Sequence, residues 1–141
     1  MAITQLSLFL NNQPGQLVSA VQAIAGTGAN LRALSIAEGN DFGILRIIVS
    51  DSEKVREALE SRFLISRTRV VAARMDDKSG ALVPILQALE KEKINIEYMY
   101  AFTASEPSQA YVVLRVNDVE TAEKALQEAG IDTLTDDRLI L

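Results

Sequence analysis

Two residue types are missing altogether. The 141-residue chain contains no cysteine and no histidine. The first absence excludes a disulfide framework and a thiol nucleophile, and the second removes the imidazole base; together they exclude a Cys/His zinc site. Aromatic residues make up only 5% of the chain, and tryptophan is absent. Three prolines and seven glycines are scattered along the chain, so no Pro/Gly/Ser-rich linker or low-complexity stretch divides it. No apolar run approaches the roughly 20 residues that span a bilayer. The start of the sequence lacks the basic segment and small-residue cleavage site of a secretory signal. Basic charge is also short, at 14 Lys+Arg against 19 Asp+Glu for a net charge of −5. Nucleic acid is held through phosphate neutralisation by Lys and Arg, so an acidic chain without a basic run is poorly suited to it. No set of side chains has the spacing of metal ligands. The expectation is a soluble, cytoplasmic protein with no membrane, nucleic-acid, metal or cofactor partner.

What the chain does have is apolar content, 48% against 23% charged, enough for a core. It also repeats itself. At an offset of 65 residues Gly15 meets Gly80, Leu17 meets Leu82, Gln22-Ala23 meets Gln87-Ala88 and Asn30 meets Asn95. Further on the offset becomes 67, where Asp51 meets Asp118 and Ala58-Leu59 meets Ala125-Leu126. The change falls between Glu38 and Gly43 in one half and between Ala104 and Gln109 in the other, where a loop tolerates it. The reading is a duplicated unit, with repeat 1 over residues 1–67 and repeat 2 over 68–141, joined near Ser66 to Arg69.

Within each repeat the hydrophobic period switches between two and 3.6. Leu6, Leu8 and Leu10 alternate as in a strand; Leu17, Val21 and Ile24, and in the other half Leu82, Leu86 and Leu89, follow helical spacing. Ala33–Ala37 and Ile44–Val49 read as strands around the turn-rich Glu38-Gly39-Asn40-Asp41. Ser50-x-x-Glu53 and Asn117-x-x-Glu120 read as capping boxes opening a second helix. Final strands are expected at Phe63–Thr68 and Leu134–Leu141. The order βαββαβ is the ferredoxin-like split βαβ arrangement, so the fold class is α+β: two tandem ferredoxin-like units with antiparallel sheets.

The junction of first strand and first helix carries the sharpest local signal: Asn11-Asn12-Gln13-Pro14-Gly15-Gln16-Leu17 in repeat 1 and Asp76-Asp77-Lys78-Ser79-Gly80-Ala81-Leu82 in repeat 2. Glycine permits a sharp turn that leaves backbone N–H groups uncovered. The helix that begins there adds free donors and a partial positive charge, which suit a carboxylate or phosphate. Asn12 or Asp77 can accept from an ammonium group. Donors on one side and an acceptor on the other fit a zwitterion. The same Asn, Asp and Ser residues are also ordinary N-cap formers, and both readings stand at this point.

The βαββαβ order, the polar-x-Pro/Ser-Gly-x-Leu loop and the Asn30-Leu31 or Asn95-Ile96 pair at the second strand resemble ACT domains, small ligand-sensing modules that often bind amino acids and regulate metabolic enzymes. The resemblance covers nearly the whole chain, twice. It implies a free amino acid as ligand, held by Asn12 with Asn30 and by Asp77 with Asn95, as in serine-binding members. Those members carry a histidine at the end of the first strand, where this chain has Leu10 and Met75, and the departure argues against serine. The resemblance further implies that the loop of one repeat faces the second strand of the other, so that the first loop would face Tyr98 and its neighbours and the second would face Leu34–Ala37. Asp76 and Asp77 repel a carboxylate unless Lys78 offsets them, so the first loop is the expected better site. The resemblance leaves open a partner metabolic enzyme and a homodimer.

Tyr98, Tyr100 and Phe102 alternate on one strand face, as core or sheet-interface aromatics do. Arg67, Arg69 and Arg74 around the junction are read as blunting a strand edge. No nucleophile and base sit together in a recognisable pattern, and the loops lack the arginine of the acyl-phosphate hydrolases of this fold class. No catalytic residue is assigned. The alternative to an amino-acid sensor is a structural module that binds a partner enzyme without a small ligand.

Overall fold

A computed structural model describes residues 2–37, 41–104 and 107–139. Its elements run β1 (Ile3–Asn11), α1 (Gln16–Gly26), β2 (Leu31–Ala37), β3 (Phe42–Val49), α2 (Ser52–Leu59), β4 (Leu64–Asp76), α3 (Leu82–Lys91), β5 (Ile96–Thr103), β6 (Gln109–Val116) and α4 (Val119–Glu128), with a 3-10 turn at Asp136–Leu139. The chain divides into two compact units, Thr4–Thr68 and Arg69–Arg138, with Ala2 and Ile3 counted in the second. The fold class is the one read from the sequence, α+β with tandem split-βαβ repeats.

In the first unit β3 is central to an antiparallel β2-β3-β1 row, with Leu34 opposite Ile47 and Leu6 opposite Ile47 on its other side. Leu6, Leu8 and Leu10 point from β1 to the helices, where they pack with Leu45, Ile47, Ile24, Val55 and Leu59. Burying several such side chains at about 1.5–3 kcal/mol each is the main source of stability. The second unit repeats the scheme in its β4-β6-β5 row, with Val71 opposite Leu114 and Met99 opposite Leu114, over a core of Val71, Ala73, Ile85, Leu89, Leu114 and Leu126.

Four local expectations are corrected. The strand expected at Phe63–Thr68 does not end at the junction. It continues as β4 to Asp76, because no proline or glycine lies between Leu64 and Asp76 to interrupt an extended run. The strand expected at Leu134–Leu141 is absent among the described residues, of which 139 is the last. In its place Thr133 forms one bridge to Ala73, the Leu134 N–H donates to the Ala72 carbonyl at 2.9 Å, and a 3-10 turn follows at Asp136–Leu139. Two adjacent aspartates are poor strand formers and sit better at the start of a helical turn. The capping boxes are displaced by one residue. Asp51 accepts from the Lys54 N–H at 3.2 Å and Asp118 from the Thr121 N–H at 3.1 Å. Ser50 and Asn117 are used elsewhere, as described below. Finally, Leu17 and Val21 are 41% and 36% exposed, while Ala20 and Ile24 carry the buried face of α1. The turn expected at Glu38-Gly39-Asn40-Asp41 lies, apart from Asp41, outside the described residues.

Exposed charge supports α2, and a capping carboxylate supports α4. The Arg56 guanidinium lies 3.0 Å from Glu53 and 2.7 Å from Glu60, and Arg67 also reaches Glu53. Arg56, with Arg67 behind it, holds the Glu53 carboxyl below its ordinary pKa against the opposing effect of desolvation. Hydrogen bonds from Thr121, its side chain first and its backbone second, hold Asp118 low in the same way.

Candidate functional site

The two strand-to-helix loops are built alike. In the first, the Asn12 N–H donates to the Asp41 carbonyl (3.1 Å), Gln13 N–H to Asn11 (2.9 Å) and Gln16 N–H to Gln13 (3.3 Å). In the second, Asp77 N–H donates to Ser108 (2.8 Å), Lys78 N–H to Asp76 (3.0 Å) and Ala81 N–H to Lys78 (3.3 Å). Gly15 at φ 90° and Gly80 at φ 80° occupy the left-handed region, where any side chain costs about 1–2 kcal/mol. Open space surrounds both, with nothing within 4 Å of an added Cβ.

Gly15 is the N-cap of α1 and Ala81 that of α3, and neither helix start receives a side-chain cap. Asn12, Asp77 and Ser79 are therefore not N-caps, in contrast to Asp51 and Asp118. Asn11, Asn12, Gln13 and Pro14 are exposed, as are Asp76, Asp77, Lys78 and Ser79; Gln16 and Leu82 are half-buried in the first turns.

The second-strand asparagines lie elsewhere. The Asn30 N–H donates to the Ser50 hydroxyl at 2.9 Å and its carbonyl accepts from the Ser50 N–H at 3.0 Å. The Asn95 N–H donates to Asn117 Oδ1 at 3.0 Å and its carbonyl accepts from the Asn117 N–H at 3.3 Å. The residues expected to cap helices thus clamp the starts of β2 and β5. Within the first unit Asn11 stands opposite Phe42, whereas Leu31 stands opposite Val49 at the far end of β3. That separation is roughly 23 Å along the strand. Asn12 and Asn30 do not meet within one unit, nor do Asp77 and Asn95. Tyr98 is half-buried in β5.

Among the described residues, clefts take up parts of these sets. One, of about 420 Å³, opens in the second unit where the end of β4, the start of β6, the first turn of α3 and the segment after α4 converge. Its polar groups are Arg74, Asp76, Lys78, Gln109 and Asp132, and its apolar surface includes Met75, Pro84, Ile85 and Ile131. Arg74 Nε donates to Gln109 Oε1 at 2.6 Å, Gln109 Nε2 donates to Asp76 Oδ1 at 2.9 Å, and Arg74 lies 3.8 Å from Asp132. The second cleft, about 400 Å³, is lined by Asn95 and Ile96 with Glu90 and Lys93. The third, about 260 Å³, lies in the first unit between Phe9, Leu10, Asn11, Phe42 and Leu64.

Sequence reasoning missed Arg74, Gln109 and Asp132. Arg74 had an edge-blunting role assigned to it, yet it sits opposite Tyr111 inside the β4–β6 pairing. The available signal was register, since Asp76 opposite Gln109 repeats Asn11 opposite Phe42. Among the described residues no group of three or more His, Cys, Asp or Glu side chains forms a metal site, and no helix is long and apolar enough to cross a membrane.

The chain belongs to the ACT domain pair family, whose model matches residues 1–141. A crystal structure of protein BT0572 from Bacteroides thetaiotaomicron is 39% identical in sequence, with a TM-score of 0.91 over 99% of this chain and 96% of that one. The ligand-free regulatory subunit of aspartate kinase from Thermus thermophilus shares the fold at 18% identity, with a TM-score of 0.63 over 89% and 91% of the two chains. Its counterpart from Thermus flavus does so at 17%, with a TM-score of 0.60 over 90% and 92%. No curated protein sequence matches the chain.

Proposed function

We infer that this ACT domain pair is a non-catalytic, cytoplasmic regulatory module that binds a free amino acid at its strand-to-helix loops and passes the bound state to a partner enzyme. Its repeats are taken as residues 1–67 and 68–141. One observation carries the reading: both loops end in a left-handed glycine and open onto a helix start that no side chain of the protein caps. Main-chain donors at such a terminus suit a carboxylate, fewer of them at α3, where the Val83 N–H donates to the Gly80 carbonyl at 3.1 Å and Pro84 has no N–H, and the neighbouring Asn12 and Asp77 are not spent as caps. Membership of the family supports the amino-acid class. Aspartate kinase regulatory subunits have the same fold, which accords with an enzyme as the listener. The lack of cysteine and histidine accords with a module that senses rather than reacts. Ligand binding would act by favouring one of two states, which requires different affinities for them.

The test is a melting curve of the full chain against each of the twenty protein amino acids. A ligand at about 100 times its dissociation constant adds about 2.7 kcal/mol, which for a chain of this size raises the melting temperature by roughly 3–6 °C. A flat response to all twenty would overturn the reading. It would leave the alternative of an assembly module, which one observation favours: α1 exposes Leu17, Val18 and Val21, and β2 exposes Leu34 and Ile36.

A further inference from the structure

We propose that the amino acid is bound in the charged cleft of the second repeat, where β4, β6, the start of α3 and the segment after α4 converge, and that the matching cleft of the first repeat is not a zwitterion site. The proposal rests on the amino-acid reading above and specifies where and how that ligand is held. At about 420 Å³ this cleft falls within the range of small-molecule sites, roughly 300–1,000 Å³. The first-repeat cleft is smaller, at about 260 Å³.

The chemistry separates them further. A free amino acid presents a carboxylate and an ammonium group a few ångströms apart. The second cleft brings two cations, Arg74 and Lys78, together with two carboxylates, Asp76 and Asp132, beside apolar Met75, Pro84 and Ile85. Neither pole is used up by the protein. Lys78 has no ion pair among the described residues, and Arg74 keeps donors beyond its Nε bond to Gln109, since its approach to Asp132 is only 3.8 Å. The bond from Gln109 to Asp76 offsets part of the repulsion that a carboxylate would otherwise meet there. At the same place the first repeat offers Phe9, Leu10, Phe42 and Leu64, with Asn11 as the one polar group. That set contains no charge for either end of a zwitterion.

Two substitutions test the assignment. Lys78→Gln removes an exposed charge and leaves the fold intact, so its unliganded melting temperature stays within about 2 °C of the parent. Gln109→Phe installs the side chain that the first repeat carries at this register and fills the cleft. Titrated with the amino acid that raises the parent's melting temperature, each variant is expected to bind about tenfold or more weakly, the effect of losing one charge-assisted hydrogen bond or the space for the ligand. Lys91→Gln, at the far end of α3, is expected to bind as the parent does. Unchanged affinity in both cleft variants, with binding lost in Asn12→Ala, overturns the second-repeat site and leaves the amino-acid reading standing. No response of the parent to any of the twenty overturns both.

Discussion

In the first repeat the end of β1, the start of β3 and the first residue of β4 meet at Phe9, Asn11, Phe42 and Leu64; in the second the corresponding places supply Arg74, Asp76, Gln109 and the Gly130–Asp132 segment. The strand register is the same in both, with Asn11 opposite Phe42 and Asp76 opposite Gln109. What differs is chemistry: Phe42 and Leu64 stand 53% and 71% exposed in one copy, and Arg74 and Asp76, joined through Gln109, line the other with Asp132. Strand register and the glycine bend therefore fix a location in this fold without fixing its polarity. Duplicated units can hold the same scaffold in common and divide tasks through a few side chains at one rim.

The comparison predicts equal behaviour wherever the copies share a role, beginning with the core. Ile24 in α1 and Leu89 in α3 occupy equivalent, fully buried positions. Truncation of either to alanine is expected to cost about 2–5 kcal/mol, measured by denaturant unfolding. A large loss in one repeat and a negligible one in the other would mean that the second core is not an independent source of stability.

A smaller and opposite effect is expected just after those helices. Gly28 ends the first turn at φ 82°, and its counterpart Lys93 adopts φ 56° with a side chain attached. Their backbones bond alike: Gly28 N–H donates to Ala25 at 3.0 Å and Lys93 N–H to Glu90 at 2.9 Å. The second repeat therefore carries strain that the first avoids, and Lys93→Gly should stabilise the protein by about 1 kcal/mol. A loss of stability would show that the Lys93 side chain has a stabilising partner worth more than the strain.

The caps divide each repeat in another way. Asp51→Ala should cost about 1 kcal/mol by removing the N-cap of α2, and Asp118→Ala should destabilise α4 in the same direction. Asn12→Ala and Asp77→Ala should stay within about 0.5 kcal/mol of the parent, because neither residue caps the helix that follows. A cap-sized loss at Asn12 or Asp77 would show that the loop polar residues serve the fold.

These effects mark where the sequence was informative. Alternation of Leu6, Leu8 and Leu10 and the spacing of Ile24 and Leu89 gave the strands and helices, because burial imposes those periods directly. The repeat was visible because glycines and buried positions are constrained alike in both copies. The last strand failed because Asp136-Asp137 interrupts a pattern that ends in Leu-Ile-Leu, and local polarity outweighed it. The caps were misplaced by one residue because Ser50 and Asn117 are good cap formers in their own right, and only the fold shows that the starts of β2 and β5 claim them. The charged cleft was illegible for the same reason. Arg74, Gln109 and Asp132 are far apart in sequence, and only the pairing of β4 with β6 and the return of the chain after α4 bring them to one rim.

The smallest expected effect lies in the one atom by which the α2 and α4 caps differ. Asp118 receives both the Thr121 N–H and the Thr121 hydroxyl, the latter at 2.7 Å; at the equivalent place in the first repeat Lys54 offers Asp51 its N–H alone. The hydroxyl favours the charged carboxylate, and the Asp118 pKa is lowered in the folded protein. A carboxyl group with a lower pKa in the folded than in the unfolded state releases its proton more readily when folded. Its contribution is therefore complete above the unfolded value of about 3.9 and is lost as pH falls through the lower folded value. Thr121→Val removes the hydroxyl and keeps the shape. The stability difference between parent and variant should be largest near neutral pH and shrink once the pH drops below about 4. A difference that persists unchanged into acid would assign the effect to packing around Thr121, and the two caps would then be electrostatically equivalent.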